Sequence, residues 1–286
     1  MTNLRTHLTL ARASNLPTVW SNILCAWIIV GGYEWLQFAS YAIGGTLLYT
    51  GGMYLNDYFD REFDSEFRPE RPIPSQQISP VTVRNIAAAL LLVGFAGFAW
   101  TGLLPAAFAA GIVACIVIYD FSHKGNAASP LFMAACRALL YLAVASSYEN
   151  GIDTYNLIAT GTIFTFILGV TYLARGESTT NAIDYPALAM AAAPVLGAFY
   201  YRSDYFDAQR GAVLALFAAW NARSFLRARV DGELIIGKTI GPLLASIPIL
   251  DLLILSTLGL ANQTHLIVFV ALFALTATAQ KTIPAS

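Results

Sequence analysis

Charge is scarce in this chain. Only 12% of its 286 residues are Asp, Glu, Lys or Arg, while 57% are hydrophobic and the mean hydropathy is +0.61. Soluble domains carry about 25% charged residues, so the composition excludes one. A formal net charge of −1, with no basic cluster interleaved with aromatics, excludes nucleic acid as a partner. Cysteine is rare too. Cys25, Cys115 and Cys136 each lie inside an apolar run without metal-ligand spacing, which reads as small buried hydrophobes rather than zinc or redox groups. Residues 1–15 are polar and the first apolar run follows directly, a pattern unlike a cleavable signal peptide. The first span is therefore expected to stay in the mature chain.

What the chain has in abundance is long apolar runs. Ten can be drawn, over residues 17–36, 38–55, 83–100, 103–118, 130–147, 155–173, 185–201, 211–226, 240–260 and 265–279. A bilayer-crossing helix needs about 20 mostly apolar residues, and the runs are continuous rather than alternating, which excludes a transmembrane barrel. The expected fold is all-α, a polytopic transmembrane bundle of nine to ten spans embedded in the lipid bilayer. Nearly all Lys and Arg between the runs fall on the side of the amino terminus, only Arg202 and Arg210 on the other. The positive-inside bias makes the first side cytoplasmic and suits a bacterial inner membrane.

The scarce charge is concentrated. Asn56-Asp57-Tyr58-Phe59-Asp60-Arg61-Glu62-Phe63-Asp64 follows the second run, and Arg68-Pro69-Glu70-Arg71-Pro72 comes next. At about 100° per helical residue, Asn56, Asp60, Asp64 and Asp57 fall at about 0°, 40°, 80° and 100°, on one narrow face. Carboxylates at such spacings repel one another, so the pattern calls for a cation. Hard oxygen ligands suit Mg²⁺, which is usually held by one or two carboxylates together with phosphate oxygens. The alternative is a solvated acidic loop neutralised by Arg61, Arg68 and Arg71. Pro69, Pro72 and Pro74 are expected to end the helix and extend the chain up to Pro80, bringing Arg68 and Arg71 back past the carboxylates to grip a diphosphate.

Two further connections on the same side carry polar groups. Tyr119-Asp120-Phe121-Ser122-His123-Lys124 places Lys124 where a point charge could reach a phosphate. Glu177, Asn181 and Asp184 would share one face if helical, as a second, weaker acidic block four spans after the first. Within the spans, Arg137 and Tyr141 should face the bundle interior. Asp251 is either a packing or a pocket residue, and Asn22 and Asn221 either bridge helices or line a cavity.

A greasy bundle with a carboxylate face and basic residues at its cytoplasmic mouth suits a ligand with a diphosphate head and a long apolar tail. Ionisation of the allylic carbon–oxygen bond would leave a cation that Tyr54, Tyr58, Phe59, Tyr119 or Tyr172 could shield. At this point the motif, Asn-Asp-x-x-Asp-x-x-x-Asp with the Arg-Pro-Glu-Arg-Pro-Ile-Pro-Ser tail, resembles the first signature of the UbiA superfamily of intramembrane prenyltransferases. The resemblance implies a single domain over residues 1–286, built as two four-helix halves around a central cavity. It implies transfer of an isoprenyl group from a prenyl diphosphate to a lipophilic or aromatic acceptor, with Mg²⁺ as cofactor. On that resemblance Asn56, Asp57, Asp60, Asp64 and Glu177 are the metal residues. Asn56, Arg68, Arg71, Lys124, Glu177 and Asn181 bind diphosphate, and Asp57, Asp60, Asp64 and Lys124 carry the chemistry.

The chain departs from the pattern in its second motif, where Glu177 and Asn181 stand for two aspartates, and at His123, where the family has Lys. These departures are similar to the divergent UbiA-like branch and the EboC-like proteins of bacterial secondary-metabolite operons. The runner-up reading is a non-catalytic membrane carrier that keeps the first motif and has lost turnover.

Overall fold

A computed structural model describes residues 4–122, 126–149, 151–177, 184–201, 207–230 and 233–284, with backbone alone for 176, 177, 230, 233 and 234. Helix dominates it. A short α1 (Leu4–Leu10) and a 3-10 turn (Ala13–Asn15) precede α2 (Leu16–Ile29), α3 (Trp35–Phe67), α4 (Pro80–Ala99), α5 (Leu103–Ser122) and α6 (Ser129–Ala145). Then come α7 (Thr154–Glu177), α8 (Tyr185–Tyr200), α9 (Ala208–Arg227), α10 (Gly237–Ala245), α11 (Ile247–Leu258) and α12 (Gln263–Ala279). Among the described residues the only strands are an antiparallel two-residue pair, Arg229–Val230 with Glu233–Leu234.

All ten apolar runs become helical, with instructive differences at their ends. The first run stops early, at Ile29, because Gly31 takes φ 66°. Gly32 N then donates to Trp27 O and Gly31 N to Ile28 O, closing a Schellman turn. The ninth run breaks into α10 and α11, which meet at 45°. Pro248 lies in the first turn of α11; its ring has no N–H to continue the helix across Ser246. By length and composition, α4, α5 and residues Thr154–Arg175 of α7 can each cross a bilayer among the described residues, and the α10–α11 pair makes a fourth. The protein is an integral membrane protein.

Helix α3 has 33 residues. At 1.5 Å per residue it is about 50 Å long, against a hydrocarbon core of about 30 Å, so the acidic block continues a long helix rather than forming a loop. Small residues let α3 and α4 touch backbone to backbone: a Cβ on Gly94 would lie 2.9 Å from both Gly44 O and Leu48 N. Helix α2 sits at the centre, packing on α3, α6, α11 and α12. After Phe67 the chain does not extend as the prolines suggest. Arg71 N bonds Arg68 O, Ser75 N bonds Arg71 O and Gln77 N bonds Pro72 O, so residues 68–78 coil into successive turns against the helix end. Ile73 and Ile78 are buried there with Leu10 and Tyr54, and that burial outweighs the extended preference before each proline.

Candidate active site at the end of the third helix

The helical face deduced from the 100° rule is the face that turns inward. Asn56, Asp57 and Asp64 are 7%, 6% and 2% exposed, and Asp60 is half-buried. Glu62 points to solvent, paired with Arg61 at 3.0 Å, while the Arg61 guanidinium stacks on Tyr58. Two arginines converge on the buried face. Arg71 Nη1 donates to Asp64 Oδ2 at 3.1 Å and reaches Asp57 Oδ1 at 3.4 Å. The turns after α3 therefore do deliver Arg71 to the carboxylates, by a shorter route than an extended strap. Arg68 is exposed and pairs with none of these aspartates.

The second cation was not singled out from the sequence. Arg12 Nη2 donates to Asn56 Oδ1 at 3.0 Å and reaches Asp57 Oδ1 at 3.4 Å. Its backbone sits at φ 42°, ψ 49°, a left-handed conformation that costs a non-glycine residue free energy and turns the chain from α1 into α2. Asp120, also overlooked, is 4% exposed on α5 and accepts from Asn56 Nδ2 at 3.1 Å. Asn56 is thus fixed in orientation, with its amide oxygen on Arg12 and its amide nitrogen on Asp120. The signal for Asp120 was present, since it adjoins Tyr119 in a stretch already noted; for Arg12 there was none.

Burial, first of all, holds the Asp57 carboxyl above its ordinary range, with Asp64 and Asp60 adding to it; Arg12 and Arg71 pull the other way. Beneath the cluster lies a cavity of about 240 Å³. The aspartates of α3 do not line it. The cavity meets the cluster through Arg12 and Asp120 and continues inward along Gly52, Tyr49 and Gly45 of α3 to Arg137 on α6. Of the aromatics named from the sequence, Tyr119 lines it. Tyr54 is buried against His7 Nδ1 at 2.8 Å, and Tyr172 OH donates to Ala127 O at 3.2 Å.

A family model for UbiA prenyltransferases matches residues 14–181, more than half of the chain. It belongs to the UbiA prenyltransferase family. Among curated relatives, the chain is 33% identical over 154 residues to a digeranylgeranylglyceryl phosphate synthase of Ignicoccus hospitalis, covering 52% of this chain and 50% of that one. It is 28% identical over 112 residues to a 4-hydroxybenzoate octaprenyltransferase of Paracidovorax citrulli, covering 38% of each. The chain spans about half the length or less of these curated relatives. A solved UbiA homologue from Archaeoglobus fulgidus, bound to GPP and Mg²⁺, shares the fold at TM-score 0.63 and 14% identity, covering 95% of this chain and 99% of that one.

For this UbiA-family chain, the donor set at α3 fits a hard cation. All its groups are oxygens, and the buried Asp64 Oδ1 has no hydrogen-bond partner among the described residues. Among the described residues no three His, Cys, Asp or Glu side chains converge by themselves as a metal cage. Mg²⁺ bound through one or two carboxylates takes its remaining oxygens from water and phosphate, so this donor set suits an ion shared with a ligand. The second acidic block is only partly in view. Asn181 and Lys124 lie outside the described residues, as does the Glu177 side chain. Asp184 is described, and it is not on a helical face with Glu177. Its backbone is extended and its Oδ1 accepts from Ala187 N at 3.0 Å, capping α8.

Proposed function

We propose that the chain transfers an isoprenyl group from a prenyl diphosphate to a lipophilic or aromatic acceptor within the membrane. The observation that carries this reading is the buried pairing of Asp57 with Arg12 and Arg71, and of Asp64 with Arg71, where Arg12 also lines an apolar-walled cavity. In the reaction the allylic carbon–oxygen bond breaks, its electron pair leaves with the diphosphate, the acceptor bonds to the freed carbon, and the acceptor then loses a proton. Asn56, Asp57, Asp60 and Asp64 would hold Mg²⁺, which supplies charge stabilisation to the departing diphosphate oxygens. Arg12 and Arg71 grip those oxygens directly, as guanidinium groups do. By accepting from the amide nitrogen of Asn56, Asp120 keeps the amide oxygen of Asn56 turned toward the cations. Tyr119 on the cavity wall shields the carbocation and the aliphatic lining excludes water from it.

Lys124, Glu177, Asn181 and the exposed Arg68 complete the diphosphate site in this proposal, as does an active-site mouth on the cytoplasmic side of a bacterial membrane. The proposal extends to one domain over residues 1–286 and to an EboC-like branch, on the strength of Glu177 and Asn181 replacing two aspartates. Purified protein in lipid nanodiscs should bind geranyl diphosphate in an Mg²⁺-dependent way and release diphosphate when acceptor is added. Asp57→Asn and Asp64→Asn should each cut release by about 100-fold or more, the scale of losing a major electrostatic contributor. Protein that binds geranyl diphosphate yet releases none across a panel of phenolic and lipid acceptors would instead be a carrier.

A further inference from the structure

A second and larger cavity lies at the end of the bundle away from the aspartates. It has about 390 Å³, against about 240 Å³ for the first, and shares no lining residue with it. Helices α7 and α8 form its walls and α11 its floor. Arg175, in the last turn of α7, donates to Asn126 O at 2.8 Å in the connection that follows Asp120 and α5, so that end of α7 lies with the aspartates. The cavity sits against the other end, over residues 157–165.

Its shape comes from glycines. Near Gly169 the walls touch: a Cβ there would lie 2.5 Å from Ala191 N and 2.6 Å from Ala187 O. Eight residues back along α7, about 12 Å, a Cβ on Gly161 would meet nothing within 4 Å, and neither would one on Gly197 of α8. The two helices thus close at one point and part at the next, with Gly161 and Gly197 exposed at the mouth. Pro194 lies in α8 between the contact and the opening; its ring has no N–H for Met190 O, the usual origin of a bend. Arg210 of α9 donates to Ala198 O and Tyr201 O, which ties the end of α8 to α9. Leu250, Leu253 and Ile254, all buried, close the floor of the cleft.

The lining selects the occupant. Among the described residues no charged side chain lines the cleft, so nothing there would neutralise a charged head group. Three hydroxyls do line it, from Thr162, Thr165 and Thr257. Thr162 and Thr165 each donate at 2.8 Å to the carbonyl four residues back, Ile158 O and Gly161 O, the habit of threonine in a helix. Thr257 does not: it is 8% exposed, and its buried Oγ1 has no hydrogen-bond partner among the described residues. Such a hydroxyl costs free energy, more so in a bilayer, where no water reaches it. A helix from a second copy, 10–12 Å across, would fill about 900 Å³ over 12 Å of its length, more than twice the space here. A single flexible chain fits. We propose that the cleft holds a long-chain alcohol, its apolar tail entering sideways from the bilayer and its hydroxyl bonded to Thr257 Oγ1. The site is separate from the prenyl-transfer chemistry and does not depend on it.

The test photolabels nanodisc-embedded protein with a diazirine-bearing hexadecanol and maps the labelled peptides by mass spectrometry. Label should concentrate on residues 157–165, 193–201 and 250–258. Unlabelled hexadecanol should displace it about 3- to 20-fold better than hexadecane, the range of one hydrogen bond inside a membrane. Thr257→Val should level the two competitors. A double variant, Gly161→Leu with Gly197→Leu, places its new side chains in open space; it should keep its melting temperature and lose the label. Label spread evenly over the lipid-facing helices overturns the proposal, as does equal displacement by the two competitors; both are read on the wild type and need no variant. Unchanged labelling in a folded double variant overturns it as well. So does a dimer whose α7 and α8 exclude the label, which would assign the cleft to a second copy.

Discussion

Replacing Asn22 with Leu would remove the polar connection that α2 makes between α6 and α11. Asn22 makes three hydrogen bonds, a partly buried one from Arg137 at 2.7 Å and two buried ones to Asp251 at 3.1 and 2.9 Å. Side-chain hydrogen bonds inside membranes average about 0.6 kcal/mol and reach about 1.7 kcal/mol, which puts the three near 2 kcal/mol. Stripping a partner from a buried charge typically costs about 3–5 kcal/mol. Here Tyr141 still serves the carboxylate and Thr18 still accepts twice from the guanidinium, which argues for the lower end. We expect Asn22→Leu to destabilise the fold by about 2–3 kcal/mol, read from equilibrium unfolding in mixed micelles. The cause is tested by a double-mutant cycle. Asp251→Leu removes the charge that Asn22 serves, so the double variant should cost at least about 1 kcal/mol less than the sum of the singles. Additivity within about 0.5 kcal/mol, or a single-variant cost below that, would refute the reasoning.

Arg12→Gln removes a cation at 3.0 Å from Asn56 and 3.4 Å from Asp57, and should weaken geranyl diphosphate binding about 10-fold, read by calorimetry. Because burial raises the Asp57 carboxyl pKa, the folded state holds that proton more tightly than the unfolded chain does. Its contribution to stability is therefore complete below about pH 3.9 and is lost as pH rises through the raised folded value. Mg²⁺ binding, which needs the carboxylate, is gained over the same rise; melting curves with and without Mg²⁺ should diverge there, and Asp57→Asn should flatten the divergence. Gly94→Val puts a side chain against Gly44 O and Leu48 N, backbone atoms that cannot yield, and should cost about 1–3 kcal/mol of stability in the same micelle assay.

Much of the site was legible because its first half is local. The spacing of Asn56, Asp57, Asp60 and Asp64 is a helical face whatever surrounds it, and that face turned inward as a unit. Arg71 was legible in its target but not in its path: prolines bias single residues toward extension, while Ile73 and Ile78 found a hydrophobic cluster that α1, α3 and α4 create together. Arg12 and Asp120 are 44 and 64 residues from Asn56 in the chain, and no local pattern reports such a meeting. Asp184 was misplaced because a helical-face argument presumes continuous helix, whereas its extended backbone starts a new one.

The amino-acid order by itself determined that this protein lives in a bilayer, that its segments are helices, and that negative charge gathers on one stripe of the third. These follow from apolar length and from a 3.6-residue period, properties of a chain considered a few turns at a time. Which cations face that stripe, that Asn22 stands between Arg137 and Asp251, and that one charge lines the cavity while the other hides behind it were decided only when distant helices packed. Charge interactions depend on separation in space and on what excludes water, and neither is written along the chain.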